Sequence, residues 1–358
     1  MHAYGMMDRF IWSNLPQDIL VRVLVFLPLK SLLRLRCVCK RWNYLVDLPR
    51  FVTIRAEIAY QDPWLLMFKR QDYRVCRAFD ESSRKWHRLA LSFLPCKVTD
   101  AIATAAGLLC FGTEDPAILI VCNPLTKNWK VLPPMRCEGS RGVIGLMVDR
   151  KMNTYSIIAA RHFSHEYDMK TEVYDSRQNN WKVTGDLPPK TLLRRDTVYW
   201  NGVLYLLTAE PFTLLAYDFA KGTWSKVPAS LPGSLTFSSL IVSHNVLFLA
   251  GGIGRNGISK FICIWRLEVA RMEWKEVHRM PDMICKRFLA LCYHNYEHIS
   301  CVGQADLIYI SCYTWPEAVV YRASQRSWRS VPRCPELPTR SSFGFNWFHF
   351  DPNYDVSV

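Results

Sequence analysis

The sequence predicts a mixed fold, in which a small all-α region of three short helices is followed by an all-β propeller of six blades. Three observations support the prediction. The spacing of apolar residues changes near residue 50, a hairpin motif with a tryptophan recurs six times after that point, and one strand-like run is left over at the end. With 358 residues, of which 50% are hydrophobic and 13% aromatic, the chain is long enough for one small and one large packed domain.

The helical region is predicted at residues 9–50, where apolar residues recur at spacings of three and four. Pro16 fits the opening turn of a helix, and Pro28 ends the first helix and begins the next. Three short helices bury their own apolar faces poorly, so we expect the leucines of this region to cover a partner. We expect residues 1–8 to form a flexible tail and residues 51–60 to form a linker.

The remainder of the chain repeats a hairpin: an alternating strand ends in Tyr-Asp or an equivalent, a polar turn follows, and a short strand opens with tryptophan. The tryptophans recur at intervals of 43 to 54 residues, a period typical of propeller blades of the WD and kelch type. We expect each large ring to fill the space between adjacent blades. The six tryptophans are Trp86, Trp129, Trp181, Trp224, Trp274 and Trp328.

A second hairpin precedes each tryptophan hairpin, as around the favoured two-residue turn Asn201-Gly202, and two hairpins make one four-stranded blade. The first unit lacks one strand, whereas residues 342–350 form a strand-like run after the sixth unit. We therefore predict a kelch-like propeller over residues 61–350 in which this C-terminal strand completes blade 1 and removes an exposed sheet edge. Residues 351–358 are expected to be a C-terminal tail.

The glycines Gly252, Gly254 and Gly257 follow an apolar strand in a G-x-G-x-x-G arrangement. A dinucleotide site needs a helix after these glycines, because the pyrophosphate binds at a helix N-terminus. The next segment, ISKFICIWRLEV, alternates like a strand instead. We therefore expect a glycine-rich hairpin, in which Gly251-Gly252 resembles the glycine pair of kelch repeats, and no nucleotide cofactor.

No other pattern predicts a metal site or an active site. The thirteen cysteines include no C-x-x-C pair, and the H-x-x-E-H order at His294, Glu297 and His298 lies in a segment rich in strand formers. A P-loop and a G-x-S-x-G elbow are also missing from the sequence. We expect a non-catalytic protein without cofactor. The alternative is a propeller hydrolase or oxidase with its site in the central channel.

The formal net charge of +14 is spread along the chain rather than concentrated on one element. Proteins that bind nucleic acid usually cluster their basic residues, so a nucleic-acid adaptor is the weaker third hypothesis. The sequence has neither a secretory signal nor an uncharged apolar run of about 18 residues. We expect no membrane association, reduced cysteines, and a location in the nucleus, the cytoplasm or both.

The helical region resembles an F-box, the module that docks on a Skp-type adaptor of cullin-RING ubiquitin ligases. The resemblance rests on Leu15-Pro16, Ile19-Leu20, Leu27-Pro28, Leu32 and the run from Val38 to Trp42. It implies adaptor contacts at positions that are all apolar, as a dry interface core requires, with one or two of them belonging to the internal core instead. These positions are Leu15, Pro16, Ile19, Leu20, Leu27, Pro28, Leu32, Val38 and Trp42.

The repeats resemble the kelch or F-box-associated propellers of plant F-box proteins. Together the two resemblances imply the substrate-recognition subunit of an SCF-type (Skp–cullin–F-box) E3 ubiquitin ligase, with propeller loops that bind a protein target for ubiquitination. Basic residues in the predicted loops would favour an acidic target. They are Arg136, Arg141, Arg161, Arg194, Arg195, Arg255, Lys286 and Arg287.

Overall fold

The computed structural model of the chain contains two compact units. One lies within Met1–Asp62 together with Pro352–Asp355, and the other within Pro63–Asp351 together with Val356–Val358. The structure describes residues 14–27, 29–46, 48–57, 63–70, 72–95, 97–137, 140–162, 169–188, 191, 193–209, 211–292, 299–335, 337, 344–354 and 356–358. The tail predicted at residues 1–8 lies outside these ranges.

The first unit is helical, and its helices are α1 (Gln17–Val25), α2 (Leu29–Leu35), α3 (Lys40–Val46) and α4 (Pro49–Glu57). Helix α1 buries Leu20 and Leu24, which are four residues apart and therefore share one face. It packs against α4, where Phe51 is completely buried.

The prediction of three helices followed by a linker at residues 51–60 was wrong in its boundary, because the chain remains helical to Glu57. The physical reason is Arg55, a buried residue of α4. Its Nη1 donates to the carbonyl oxygens of Val25 at 2.7 Å and Leu27 at 3.0 Å. Carbonyl groups at the C-terminal end of a helix have no hydrogen-bond donors within the helix. At the end of α1, the guanidinium group of Arg55 is the donor.

The second unit is a six-bladed propeller, in which the described residues form 24 strands. In chain order they are β1 (Trp64–Lys69), β2 (Asp72–Asp80), β3 (Lys85–Leu89), β4 (Val98–Ala105), β5 (Leu108–Thr113), β6 (Leu119–Asn123), β7 (Asn128–Val131), β8 (Ser140–Asp149), β9 (Thr154–His162), β10 (Met169–Asp175), β11 (Asn180–Val183), β12 (Leu193–Trp200), β13 (Val203–Thr208), β14 (Leu214–Asp218), β15 (Thr223–Lys226), β16 (Leu235–Ser243), β17 (Val246–Arg255), β18 (Ile258–Glu268), β19 (Glu273–Arg279), β20 (Ile299–Gln304), β21 (Leu307–Cys312), β22 (Ala318–Arg322), β23 (Ser327–Ser330) and β24 (Phe345–Phe350).

Each blade is a four-stranded antiparallel sheet. From the inner to the outer strand, the blades are β24-β1-β2-β3, β4-β5-β6-β7, β8-β9-β10-β11, β12-β13-β14-β15, β16-β17-β18-β19 and β20-β21-β22-β23, numbered 1 to 6. The apolar core lies between neighbouring blades, where side chains from facing sheets form buried clusters. Among the described residues, no helix is long and apolar enough to cross a membrane.

The predicted closure of the ring by the C-terminal strand is confirmed. Strand β24 pairs antiparallel with β1 in unbroken register, from Trp64 opposite Phe350 to Lys69 opposite Phe345. The buried side chains of Phe345 and Trp347 join an apolar cluster that contains residues of blade 1 and blade 6. The last strand of the chain therefore becomes the inner strand of the first blade.

In four of the six repeated tryptophans, the indole N–H donates a hydrogen bond to a neighbouring part of the ring. The acceptor lies in the preceding blade or in the segment that joins the preceding blade to the blade of the tryptophan. The acceptors are Pro332 O for Trp86, Pro133 O for Trp181, Thr171 Oγ1 for Trp224 and His278 Nδ1 for Trp328. These bonds confirm the predicted position of the four rings between blades.

Trp129 departs from this pattern, because 43% of the residue is exposed. Its cross-strand partner is Cys122. In the four blades above, the corresponding partner is an aromatic residue that packs against the tryptophan, as Tyr217 does against Trp224. The prediction that every repeated tryptophan fills the space between blades was therefore wrong at Trp129.

The predicted C-terminal tail is also anchored on the propeller at its last residues. Val356 is buried in the cluster that contains Tyr155, Tyr174 and Trp181, and Asn123 Nδ2 donates to its carbonyl oxygen at 3.2 Å. Residues 356–358 thus contribute to the packing between blades 2 and 3.

The propeller has two different ends because its strands alternate in direction. At one end, which we call the turn face, short turns join the outer two strands of each blade and, in blades 2 to 6, also the inner two strands. At the other end, the connection face, loops join the middle strands and longer segments lead from one blade to the next. Residues 280–298, between blades 5 and 6, include helix α5 (Asp282–Leu291). This helix lies where the sequence analysis placed a loop.

Candidate functional site

An exposed apolar stripe runs along helix α1. Ile19, Val23 and Phe26 lie at spacings of four and three, and 47%, 38% and 74% of these residues are exposed. The opposite face of the helix buries Leu20 and Leu24. Val38 and Tyr44, elsewhere in the helical unit, are also largely exposed. Contiguous exposed apolar residues in a small unit indicate a surface that is covered by a partner.

The predicted adaptor contacts divide into two groups. Leu15, Pro16, Ile19, Leu27, Val38 and Trp42 are exposed or half-buried, so a partner can reach them. Leu20 and Leu32 are completely buried. Their assignment as contact residues is corrected here, because a side chain without accessible surface stabilises the helices from inside. Pro28 lies outside the described residues.

The sequence analysis did not single out Val23, Phe26 and Tyr44 as surface residues. Both sides of α1 are apolar, so the helical period alone does not tell which side faces the core. The sequence nevertheless contains an indication of this surface, since Val23 and Phe26 follow Ile19 at the helical spacings of four and three.

The second candidate surface is the connection face of the propeller. The six turns between the outer two strands all contain four residues, from 81–84 in blade 1 to 323–326 in blade 6. Connections between blades vary much more: residues 90–97 join blades 1 and 2, whereas residues 280–298 join blades 5 and 6. Variable segments on a rigid scaffold are the usual carriers of recognition.

The strand directions place all eight predicted target-binding residues at the connection face. Arg141 lies near the start of an inner strand, as do Arg194 and Arg195. Arg161 and Arg255 lie near or at the end of a second strand, and the others lie in segments between blades. Of these residues Arg136, Arg255, Lys286 and Arg287 are exposed.

Arg161 is not available to a target, and its assignment to the target-binding set was wrong. It is only 1% exposed, and its Nη1 donates to the carbonyl oxygen of Cys137 at 2.7 Å. Burial lowers the pKa of Arg161, while the neighbouring carboxylate of Glu172 acts in the opposite direction. The carboxylate of Glu172 in turn accepts hydrogen bonds from the backbone N–H groups of Arg136 and Cys137. This buried network anchors the connection between blades 2 and 3.

The central channel contains a cavity of about 430 Å³, lined by the inner strands of all six blades. Its walls are mostly aliphatic, for example at Ile102, Leu146 and Leu240. Burial lowers the pKa of His349, and Asp351 raises it by a smaller effect. Two other ionisable side chains of the lining have partners: Asp351 lies 3.9 Å from Arg150, and His244 lies 3.9 Å from Asp306. The described lining is a mixture of aliphatic side chains with hydroxyl, imidazole and carboxyl groups.

No group of three or more His, Cys, Asp or Glu side chains that could hold a metal ion occurs within the described ranges. His294, Glu297 and His298, which follow the order of a zinc-peptidase motif, lie outside those ranges.

The glycine-rich stretch belongs to the hairpin of β17 and β18, as predicted, and no helix follows it. A Cβ atom at Gly251 would lie 2.7 Å from the carbonyl oxygen of Phe237, and one at Gly252 would lie 2.3 Å from Ser259 Oγ. Only Gly257, in the turn, has a positive φ, of 70°. Close packing and a tight turn therefore explain these glycines without a nucleotide.

Comparison with known protein families gives two matches that together cover most of the chain. Residues 12–53 match the F-box domain, and residues 80–325 match the F-box associated beta propeller domain. Both matches agree with the helical unit and the propeller described above.

Several plant proteins resemble the chain over nearly its whole length. F-box/kelch-repeat protein At5g43190 of Arabidopsis thaliana is 31% identical, over 98% of this chain and 90% of that protein. F-box only protein 6 of the same plant is 29% identical, over 92% of this chain and 71% of that protein. Protein UNUSUAL FLORAL ORGANS, also from A. thaliana, is 26% identical, over 92% of this chain and 80% of that protein.

Among solved structures, a chain in the crystal structure of a nidogen/laminin complex is similar with a TM-score of 0.50. The similarity covers 82% of this chain and 100% of that chain at 10% sequence identity. At this identity the match concerns the fold alone.

Proposed function

The chain belongs to the F-box proteins that carry an F-box-associated β-propeller, and from this premise we propose that it is the substrate-recognition subunit of an SCF-type E3 ubiquitin ligase. The helical unit binds a Skp-type adaptor, and the connection face of the propeller binds a protein target. The observation that best supports the proposal is the exposed apolar stripe of Ile19, Val23 and Phe26 on α1.

The receptor acts by proximity and performs no chemical step. A target held on the propeller stays near the ubiquitin-conjugating enzyme that the cullin recruits, which raises the effective concentration of its acceptor lysine. Acyl transfer to the lysine therefore requires no side chain of this protein.

The adaptor interface is driven by burial of the apolar stripe. Burial of a large aliphatic or aromatic side chain contributes about 1.5–3 kcal/mol to the free energy of binding. The stripe has three such side chains, so its total contribution is a multiple of this amount. Trp42 adds a half-buried aromatic ring, a residue type that often dominates interface energies. The completely buried Leu20 and Leu32 act indirectly, by fixing the helices that present the stripe.

The test is co-purification of the full chain with a Skp-type adaptor. We expect a stable complex with the wild type, and weakening on the order of a hundredfold in the Ile19→Ser, Phe26→Ser double variant, because two apolar anchors are lost. Leu15→Ala with Pro16→Ala should weaken the complex in the same direction. The matched control is Met152→Ser with Val269→Ser, which removes two equally exposed apolar residues from the propeller.

A truncated protein without the helical unit is a second control, and it must lack helix α4 as well. Removal of residues 1–50 would leave Phe51 and Arg55 without the helices on which they pack, so the deletion should extend through Glu57. Failure of well-folded wild-type protein to bind any Skp-type adaptor would reject the proposed function. Full binding by the α1 double variant would reject the stripe as the docking surface.

A further inference from the structure

The outer strand of blade 2, β7, carries two exposed apolar side chains. Trp129 is 43% exposed and Val131 is 47% exposed. In the other five outer strands the repeated tryptophan is buried or half-buried. Strand β7 is therefore the one outer strand, in the described part of the ring, that exposes its tryptophan together with a neighbouring apolar residue. Exposed apolar residues on a strand at the edge of a sheet mark a place where another chain can pair.

Both side chains lie on the side of blade 2 that faces blade 1. Val131 is opposite Ile120, and Ile120 is opposite Phe111. Residues directly opposite each other share one side of a sheet. The ring of Phe111 packs edge-to-face on that of Phe68 in blade 1, with the ring centroids 5.8 Å apart. Side chains alternate along a strand, so Trp129 lies on the same side as Val131 and forms one apolar surface with it.

The backbone groups of the same two residues point away from the blade. Strand β7 is at the edge of its described sheet, next to β6. Just after β7, the N–H of Leu132 donates to the carbonyl oxygen of Leu119 in β6 at 2.9 Å. In an antiparallel ladder, pairs bonded in this way alternate with pairs whose backbone groups point outward. By this alternation Lys130 bonds to β6, whereas the N–H and C=O groups of Trp129 and Val131 are directed outward.

The chain around β7 is basic. Residues 116–137, which include β6 and β7, contain Lys127, Lys130 and Arg136 and no Asp or Glu. Lys127 is exposed in the turn before β7, and Lys130 projects from the side of β7 opposite to Trp129 and Val131. A strand added at this edge therefore meets one cation between two apolar residues. We define the β7 edge as Trp129, Lys130 and Val131.

The cation disfavours a second copy of this chain as the occupant of the β7 edge. An antiparallel pair of β7 strands that sets Trp129 opposite Val131 also sets Lys130 opposite its own equivalent. Like charges that are directly opposite in a ladder destabilise the pairing, and lysine on an edge strand commonly protects a protein from such association. A carboxylate at the opposing position would be attracted instead.

We propose that the β7 edge binds an extended segment of a partner protein in which an acidic residue stands between two apolar ones. The segment adds a strand to the four of blade 2 and bonds to the outward backbone groups of Trp129 and Val131. Its apolar side chains cover the same two residues. Its Asp or Glu pairs with Lys130, at a position without backbone bonds between the strands, where opposite side chains are closest.

The β7 edge is distinct from the apolar stripe of α1 and from the loops of the connection face. The proposal therefore goes beyond the proposed function and does not depend on it. A short edge strand supplies few backbone bonds, so the alternation of the side chains gives the site its specificity.

The test uses the full chain and a display library of random peptides. We expect the wild type to enrich peptides with Asp or Glu between two apolar residues. Trp129→Ser with Val131→Ser should lower their retention about tenfold or more, because two covered side chains are lost. Lys130→Glu should reverse the charge preference, so that the same library yields Lys or Arg at the central position.

Val131→Pro separates strand addition from the covering of side chains. Proline removes an N–H that points outward and is not part of the pairing with β6, so the blade tolerates it while the added strand loses a bond. Retention should fall about tenfold. The matched control is Val183→Pro, at the corresponding exposed position of β11 in blade 3, which should stay within about twofold of the wild type. Thermal unfolding of each variant checks that the propeller is folded.

Several results would overturn the proposal: no enrichment, enrichment of peptides without the alternation, or unchanged retention in the Trp129→Ser, Val131→Ser variant. An unchanged charge preference in Lys130→Glu would reject the pairing with the acidic residue, and equal retention in the two proline variants would reject strand addition. A wild-type dimer in light scattering that the same double serine variant dissociates would make the β7 edge an interface between copies. Adaptor co-purification from the same samples tests the proposed function separately, since either result can fail without the other.

Discussion

Arg55 connects the two ends of the helical unit through hydrogen bonds that a sequence pattern does not reveal. In the sequence it is one of 45 Lys and Arg residues, most of which lie in water. In the structure it is buried, and burial lowers its pKa. An arginine tolerates this environment because carbonyl oxygens at the end of α1 accept its N–H groups. Arg55 therefore links α4 directly to the end of α1.

We predict that Arg55→Met destabilises the helical unit. Two hydrogen bonds from a charged group are lost, each worth about 1.5–3 kcal/mol, whereas the aliphatic packing is retained. In hydrogen exchange of the full chain, the amides of Gln17–Val25 should exchange faster, and adaptor binding should weaken.

The control is Arg50→Met, which changes an exposed arginine of the same helix. Exchange in α1 that is equally slow in both variants would show that Arg55 does not stabilise this helix.

The turns between the outer two strands repeat one backbone geometry in all six blades. The last residue of each turn has a left-handed conformation, with φ between 48° and 66°. These residues are Arg84, Lys127, Asn179, Gly222, Met272 and Arg326. Only glycine and asparagine adopt this conformation readily, so the other four residues are strained. The turn geometry is thus imposed by the hairpin rather than by the residue that occupies it.

We predict that Lys127→Gly and Arg326→Gly, which change exposed residues, each stabilise the propeller by up to about 1 kcal/mol, because glycine removes the steric conflict of Cβ at positive φ. Thermal unfolding of the full chain should shift upward for both variants. Gly222→Ala, the reverse exchange at the equivalent turn, should shift it downward. Equal melting temperatures in all three variants would show that these turns store no strain.

Helix α5 shows why the elements of the ring were predicted better than its connections. The strand pattern of a blade occurs six times in the sequence, so the strands assigned to one blade can be checked against the other five. Helix α5 occurs once, covers Asp282–Leu291, and buries only one short apolar face through Cys285, Phe288 and Leu289. A pattern of this length between two strands is indistinguishable from a loop with a few apolar residues.

The candidate sites were also predicted only in part, because the sequence does not show which of their residues are buried. Apolar residues at helical spacing identified the helical unit, but α1 is apolar on both sides, so Leu20 and Ile19 looked equivalent in the sequence. Arg161 and Arg136 likewise occur in similar sequence surroundings. In the structure Arg161 is buried and its side chain bonds to Cys137, whereas Arg136 is exposed and only its backbone N–H bonds to Glu172. To tell a buried arginine from an exposed one in this way, it is necessary to know which residues pair across neighbouring strands.

The closed ring depends on contacts between the first and the last blade. Besides the pairing of β24 with β1, the carboxylate of Glu81 in blade 1 forms ion pairs with Arg329 and with Arg322, the latter at 3.4 Å, in blade 6. Tyr309 of blade 6 donates to the same carboxylate at 3.3 Å. Backbone pairing, apolar packing and charge therefore meet at one junction.

We predict that deletion of residues 341–358 causes a large loss of thermal stability. The deletion exposes the edge of β1 and removes the buried side chains of Phe345, Trp347 and Phe350, each worth about 3–5 kcal/mol. The milder variant Phe345→Ala should lower the melting temperature without preventing folding. An unchanged melting curve for the deletion would reject the closure.

The pairing of β24 with β1 has a consequence for protein synthesis. Strand β1 ends at Lys69 and its partner begins at Phe345. A ribosome that adds about 5–20 residues per second needs roughly a quarter of a minute to a minute to make the intervening chain. Throughout that time the apolar edge WLLMFK remains without its neighbour, and the nascent protein needs protection from other chains. A chain whose translation is interrupted before this last strand is therefore a candidate for the cell's own quality control.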